Sequence, residues 1–215
     1  MLFYFILLSN VFAYNPTWKE LYDSSGWSHS HTVDTDVGNI SVYKKEVGSL
    51  PCFQGKATTT IESKILIEIA ADAESAIEWS SADLTEAKEL SRTKSYVEYF
   101  QYLDIPIFSD RYWFARGYFE TDGNALLFHW NKLDQGGEHP EFYKEIQEKY
   151  PSAEETLINI GGWVFTSEEG MTTIQYLICT HPGGSVPTMF QSVGTEQTLP
   201  NNLRDIIIEA KRRAK

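Results

Sequence analysis

The segment 95–103 alternates between two sets of side chains, and both sets are large. One face of an extended strand would carry Tyr96, Glu98, Phe100 and Tyr102. The other face would carry Val97, Tyr99 and Gln101. A strand with bulk on both faces belongs to a sheet that is covered on at least one side and lines an interior on the other. This segment therefore predicts a sheet built around an enclosed space.

Further segments with a period of two predict that this sheet is long. They span residues 27–33, 40–47, 53–61, 84–90, 111–119, 125–130, 156–165 and 172–180. Helical periodicity predicts short helices at 14–23, 63–76 and 140–150. An amphipathic helix over 185–213 closes the chain, with a bend or restart expected at Pro200. No Pro/Gly/Ser-rich linker divides residues 14–215, so we expect one domain.

Composition excludes several partners. The formal net charge is −12, which repels phosphate backbones and argues against nucleic-acid binding and against permanent docking on anionic membranes. The basic tail Lys211–Lys215 either complements the end of a helix or touches an acidic lipid surface briefly. An aromatic share of 14% supplies both core and pocket-lining side chains. We expect a monomer.

The first 13 residues predict a signal peptide. They are apolar and end in Val11-Phe12-Ala13, which suits signal-peptidase cleavage, although no basic residue precedes the apolar run. We therefore expect a secreted or periplasmic protein, with a cytoplasmic one as the alternative if this segment is a buried strand or helix. Cys52 and Cys179 permit one disulfide, but free thiols buried in strands are the favoured expectation.

Motifs for catalysis or cofactor binding are absent from the sequence. It contains no Cys-x-x-Cys, His-Glu-x-x-His, Gly-x-Ser-x-Gly, Walker or dinucleotide-binding pattern. His29 and His31 share a strand face near Asp34 and Asp36, but no third ligand completes a metal site. We expect no catalytic residue, no cofactor and no metal.

Four stretches, in order, resemble the START family of lipid-transfer domains in the helix-grip superfamily. They are Gly38–Tyr43, Ile67–Asp72 followed by Trp79, Tyr96–Arg111 with its proline turn, and Pro182-Gly183-Gly184-Ser185-Val186-Pro187. The resemblance covers about 27–213. It implies an α+β helix-grip fold, in which a long curved antiparallel β-sheet wraps around a C-terminal α-helix and encloses a hydrophobic cavity.

The resemblance also implies candidate ligand contacts. The residues expected to line the cavity are Tyr96, Glu98, Phe100, Arg111, Trp113, Tyr176, Met189, Phe190 and Val193. Glu98 matches a position where some sterol-binding relatives place a carboxylate, but its arginine partner would fall near Gly117. Glu98 either meets a ligand or is exposed or ion-paired. Arg111 either binds a headgroup or makes a structural ion pair, and because Tyr112 replaces the usual aspartate, Asp110 or another residue must neutralise it.

Three functions follow from these expectations. The first is binding, and transfer between membranes through transient contact, of a lipid or another hydrophobic small molecule. The alternatives are a cyclase/aromatase-like enzyme that uses the same cavity, and an interaction scaffold whose cavity is filled by its own aromatic side chains.

Overall fold

The computed structural model describes residues 14–105, 108–184 and 188–214, with the backbone alone over 188–195. The helices are α1 (Trp18–Tyr22), α2 (Ser63–Ala70), α3 (Ala76–Trp79), α4 (Pro140–Lys149) and α5 (Thr188–Arg213). The first strands are β1 (Ser28–Thr35), β2 (Gly38–Val47), β3 (Leu50–Thr59), β4 (Leu84–Arg92) and β5 (Tyr96–Leu103). The others are β6 (Arg111–Asp122), β7 (Ala125–Leu133), β8 (Glu154–Glu155), β9 (Ile158–Glu168) and β10 (Met171–His181). The predicted leader, residues 1–13, lies outside the described residues.

All ten strands belong to one sheet. Nine of them follow the order β1-β2-β3-β10-β9-β7-β6-β5-β4, and every pair of neighbours along this path is antiparallel. The two-residue strand β8 pairs with β6 in parallel. The sheet and the C-terminal helix give the α+β helix-grip architecture that the sequence predicted.

Helix α5 packs against the inner face of the sheet. The second half of its predicted apolar stripe is buried: Leu199, Leu203, Ile206, Ile207 and Ala210. The side chains of the first half, Val186, Met189, Phe190 and Val193, lie outside the described residues. The helix lies so close to β3 that a Cβ atom at Gly55 would overlap the side chains of Leu199 and Leu203. Pro200 stands inside α5 without ending it, so the predicted restart is not observed.

Two smaller layers cover the outer face of the sheet. α1 lies against β7, β9 and β10, where Leu21 joins a cluster with Leu127 and Leu177. α4 covers β5 and β6, where its Ile146 packs among Phe100, Tyr102, Tyr112 and Phe114. The sheet is therefore buried on both faces, as the bulky alternation of β5 requires.

Cys52 and Cys179 form a disulfide, which corrects the expectation of free thiols. They are direct partners in the antiparallel register of β3 and β10, with Cα atoms 4.5 Å apart. This separation is typical of a non-hydrogen-bonded antiparallel pair, whose side chains lie close together. Sequence spacing cannot reveal this register, because the two cysteines are 127 residues apart.

Candidate ligand cavity

A cavity of about 540 Å³ lies between the inner face of the sheet and helix α5. Its volume is within the range of pockets that hold small-molecule ligands. Strands β5, β6, β7, β9 and β10 form one wall, and α5 contributes Leu199 and Asn202. Residues of the segments 70–84 and 103–105, together with Phe108, also line the cavity. The cavity reaches the surface near Ser81, Asp83, Asp104 and Phe108, which are exposed.

One wall of the cavity is aromatic. Tyr176 on β10 stacks on Trp163 of β9 with ring centroids 4.2 Å apart, and Trp130 of β7 lies 6.1 Å from Tyr176. Phe128 lies 6.3 Å from Trp130 and lines the same wall. The indole N–H of Trp130 donates to Asn159 Oδ1 at 2.9 Å, so the ring presents carbon to the cavity. This surface suits an apolar ligand.

Two tyrosines bring hydroxyl groups to the cavity. Tyr99 is only 5% exposed, and both Tyr99 and Tyr176 line the cavity. Burial raises the pKa of each hydroxyl, and the charge of Tyr176 raises the pKa of Tyr99 further. Both groups are therefore neutral hydroxyls at physiological pH and are not available as bases.

Arg111 lies at the edge of the cavity, but its donors are used by the main chain. Its Nε donates to Pro182 O at 2.6 Å, and Nη2 donates to Gly183 O at 3.4 Å. Its Nη1 donates to the carbonyl oxygens of Ser109 and Asp110. These hydrogen bonds hold the turn before α5 against the start of β6. A ligand headgroup could bind Arg111 only by displacing them.

The carboxylate that pairs with Arg111 is that of Glu154, so of the two alternatives, Asp110 or another residue, the structure has the second. The carboxylate of Asp110 instead accepts a bond from the Tyr102 hydroxyl at 2.6 Å and one from the Ile105 N–H at 3.2 Å. The carboxylate recorded near Arg111 belongs to Glu154, at 3.9 Å. Carbonyl dipoles therefore carry most of the stabilisation of this buried cation.

Tyr96, Glu98 and Phe100 face away from the cavity, so their predicted place on its wall is corrected. Phe100 belongs to the cluster under α4. Glu98 accepts a bond from Arg116 Nε at 2.7 Å and lies 2.8 Å from His139 Nε2. The ring of Tyr96 lies under the Arg116 guanidinium, 4.8 Å from its centroid. The other face of β5 lines the cavity, through Tyr99, Gln101 and Leu103.

The remaining residues predicted to contact a ligand fall into two groups, those that line the cavity and those whose side chains are not described. Trp113 and Tyr176 line the cavity, as does Arg111. The side chains of Met189, Phe190 and Val193 lie outside the described residues, although the backbone there is helical. Ligand contact by any of these residues stays a prediction. Sequence reasoning missed Trp130 and Asn159 as lining residues, and it considered Tyr99 only as a pocket group of the cyclase alternative.

The possible metal site near β1 does not form a cluster. His29 Nε2 lies 3.0 Å from Thr32 Oγ1, and His31 Nδ1 lies 3.6 Å from Glu196 Oε1. Within the described ranges, no group of three or more His, Cys, Asp or Glu side chains is placed to hold a metal ion. Also within those ranges, no helix is both long and apolar enough to cross a bilayer.

The sheet and the helix that it wraps define the helix-grip fold, which is also the fold of START domains. The lipid transfer protein from Xanthomonas axonopodis has a similar structure, with a TM-score of 0.71 and 18% identity over 86% of this chain and 99% of that one. Human STARD10 matches with a TM-score of 0.72 and 16% identity over 90% of this chain and 76% of that one. No family model matches the chain, and no curated protein matches its sequence.

Enzymes with this fold are also similar to the chain. The Zhui aromatase/cyclase from a Streptomyces species matches with a TM-score of 0.57 and 12% identity, over 76% of this chain and 95% of that one. Identities at this level show the fold alone.

Proposed function

We propose that this chain binds a lipid or another hydrophobic small molecule in its cavity and carries it without changing it chemically. The observation that supports this proposal is the empty volume of about 540 Å³ beside an aromatic wall. Transfer of apolar surface from water to such a space is worth about 0.8 kcal/mol per methylene. About ten buried methylenes then suffice for micromolar affinity after the cost of association.

Carriage is favoured over a cyclase-type enzyme by the chemistry of the inner wall. Among the described residues of the aromatic side of the cavity, the titratable groups are Tyr99 and Tyr176, whose raised pKa values keep them protonated. The carboxylates of the lining are Asp72, which pairs with Arg213, and Asp83 and Asp104 at the opening. A general base for carbanion or enolate chemistry needs a pKa near the working pH. Chemical change of a bound molecule during the experiment below would instead favour the enzyme.

We also propose that loading occurs through brief contact with a membrane at the cavity opening. Leu157 is 59% exposed and follows Thr156, which lines the cavity. The exposed Phe108 lines the opening itself. The basic tail is less suited to this contact, because Arg212 and Arg213 pair with Glu209, and Arg213 also pairs with Asp72.

Export to an oxidising compartment is proposed as well. The Cys52–Cys179 disulfide supports it, since such bonds persist mainly in secreted and periplasmic proteins. The apolar segment at the start of the sequence supplies a candidate leader.

Native mass spectrometry of the full chain, purified without detergent, tests the central proposal. We expect a stoichiometric extra mass that organic extraction releases as an intact lipid or apolar metabolite. Thr180→Trp should abolish the extra mass, because Thr180 lines the cavity. The matched control is Thr173→Trp, on the same strand but an odd number of residues away and therefore on the outer face.

Each outcome of this experiment has a clear meaning. If no ligand mass is bound and none is taken up from an added lipid panel, the binding proposal is wrong. That result would favour the interaction scaffold whose cavity is filled by its own side chains. Equal loss of the bound mass in both tryptophan variants would also contradict the assignment of the cavity.

A further inference from the structure

The hydroxyls of Tyr99 and Tyr176 lack hydrogen-bond partners among the described residues. No other described side chain or backbone group bonds either hydroxyl, and both residues line the cavity. Neither oxygen is among the fully buried polar atoms without a partner, so both keep accessible surface. Among the described residues of the lining, the fully buried atoms without a partner are Thr156 Oγ1 and Asn202 Oδ1. Tyr99 and Tyr176 therefore offer hydrogen-bond donors to the space that a ligand would occupy.

The ring neighbours of Tyr176 do not bond its hydroxyl. Its ring lies against Trp163 and near Trp130. An indole ring has no hydrogen-bond acceptor for the phenol, and the Trp130 N–H already donates to Asn159. Tyr176 is only partly buried and lines the cavity, so part of its accessible surface faces that space. A ligand oxygen in the cavity would accept a hydrogen bond from such a hydroxyl.

The charges around the cavity select against an anionic ligand. Arg111 is the one cation among the described lining residues, and its guanidinium already donates to four main-chain carbonyls. The exposed carboxylates of Asp83 and Asp104 stand at the opening. A carboxylate or phosphate on the ligand would thus pass two like charges and be buried without a counter-ion.

We propose that Tyr99 and Tyr176 form the polar subsite of the cavity and select an uncharged amphiphile. A hydroxyl or carbonyl oxygen of this molecule accepts hydrogen bonds from the two phenols, while its apolar body lies against the aromatic wall. Fatty acids and other anions are disfavoured. This inference rests on the proposed binding function, which it deepens by naming the class of ligand.

Displacement of the uncharged dye Nile red by 1-decanol, decanoate and decane tests the subsite in the full chain. These probes share their chain length and differ in the polar group. For the wild type we expect decanol to bind at least about tenfold more tightly than decanoate at neutral pH. Tyr99→Phe and Tyr176→Phe should each weaken decanol binding about fivefold and leave decane binding unchanged.

Tyr43→Phe is the matched control. Tyr43 lies on β2 beside His29 and Lys56 and does not line the cavity, so this change should leave all three affinities as they are. The change in decanol affinity relative to decane is the readout, because a general loss of fold would weaken both probes together.

Three results would overturn the proposal while the binding function stands. They are tight binding of all probes with no effect of either cavity variant, decanoate binding as tightly as decanol, and an equal effect of Tyr43→Phe. A wild type that binds neither Nile red nor any probe would instead contradict the binding function itself.

Discussion

Glu98 on β5 and Arg116 on β6 are direct partners in the antiparallel register and form a buried ion pair on the outer face of the sheet. His139, just before α4, bonds the second oxygen of the same carboxylate. Burial alone would raise the pKa of Glu98, but the bonds from His139 and Arg116 outweigh it, and the pKa lies below its usual value. The pair thus ties α4 to the sheet and has no access to the cavity.

Replacement of Glu98 by Gln should lower the free energy of unfolding by about 1–3 kcal/mol, because Arg116 and His139 lose a charged acceptor. Glu138→Gln is the matched control. Glu138 bonds the same arginine at 3.1 Å but has a side chain that is 76% exposed, so we expect a change of about 0.5 kcal/mol or less. Urea denaturation at neutral pH measures both. Equal losses would contradict the assigned role of Glu98.

The stability that Glu98 contributes should depend on pH. Since its folded pKa is lowered, the contribution is fully present above the unfolded pKa of about 4.5 and is lost as the pH falls through the folded value. The difference in unfolding free energy between the wild type and Glu98→Gln should therefore shrink in acid. A difference that stays constant down to the acid transition would show that the carboxylate charge is not responsible.

Arg111→Lys should destabilise the protein by about 2–4 kcal/mol, since an ammonium cannot span the carbonyls of Ser109, Asp110, Pro182 and Gly183. Amide exchange should accelerate in the turn at Gly183. Arg204→Lys is the control, because Arg204 pairs at the surface with the exposed Asp36 and should lose less than about 1 kcal/mol. Unchanged exchange in the turn would contradict the anchoring role of Arg111.

The chain should contain no free thiol when it is denatured without reductant. The disulfide joins residues 127 apart, so Cys52→Ala with Cys179→Ala should lower the unfolding free energy by roughly 3–5 kcal/mol. Thiol titration and chemical denaturation measure the two effects. Reduction of the wild type should reproduce most of the loss, and two titratable thiols in the untreated protein would refute the assignment.

Leu157→Ser should slow the uptake of a fluorescent lipid from neutral vesicles several-fold, because it removes an exposed apolar side chain next to Thr156, which lines the cavity. Met171→Ser is the control. Met171 is also exposed, but it is the first residue of β10, whereas the N–H of Leu157 bonds the carbonyl of His181, the last residue of that strand. Vesicle uptake followed over time distinguishes the two. A similar slowing in both variants would indicate a general loss of surface hydrophobicity.

Most elements of the fold were determined by the local sequence. The alternation in 95–103 predicts β5, observed as Tyr96–Leu103, and the helical spacing near residue 140 predicts α4, observed as Pro140–Lys149. Such patterns are readable because side-chain direction repeats every two residues in a strand and every 3.6 in a helix. The four stretches that resemble START domains then supplied the topology.

Tertiary structure alone decided which face of each strand is internal. Alternation shows that Tyr96, Glu98 and Phe100 share a side, but α4 covers that side and α5 covers the other, so both carry large residues. The same limit applies to Tyr99 and Tyr176. Three strands separate β5 from β10 in the sheet, and only the wrapping of that sheet around α5 brings both hydroxyls to one cavity.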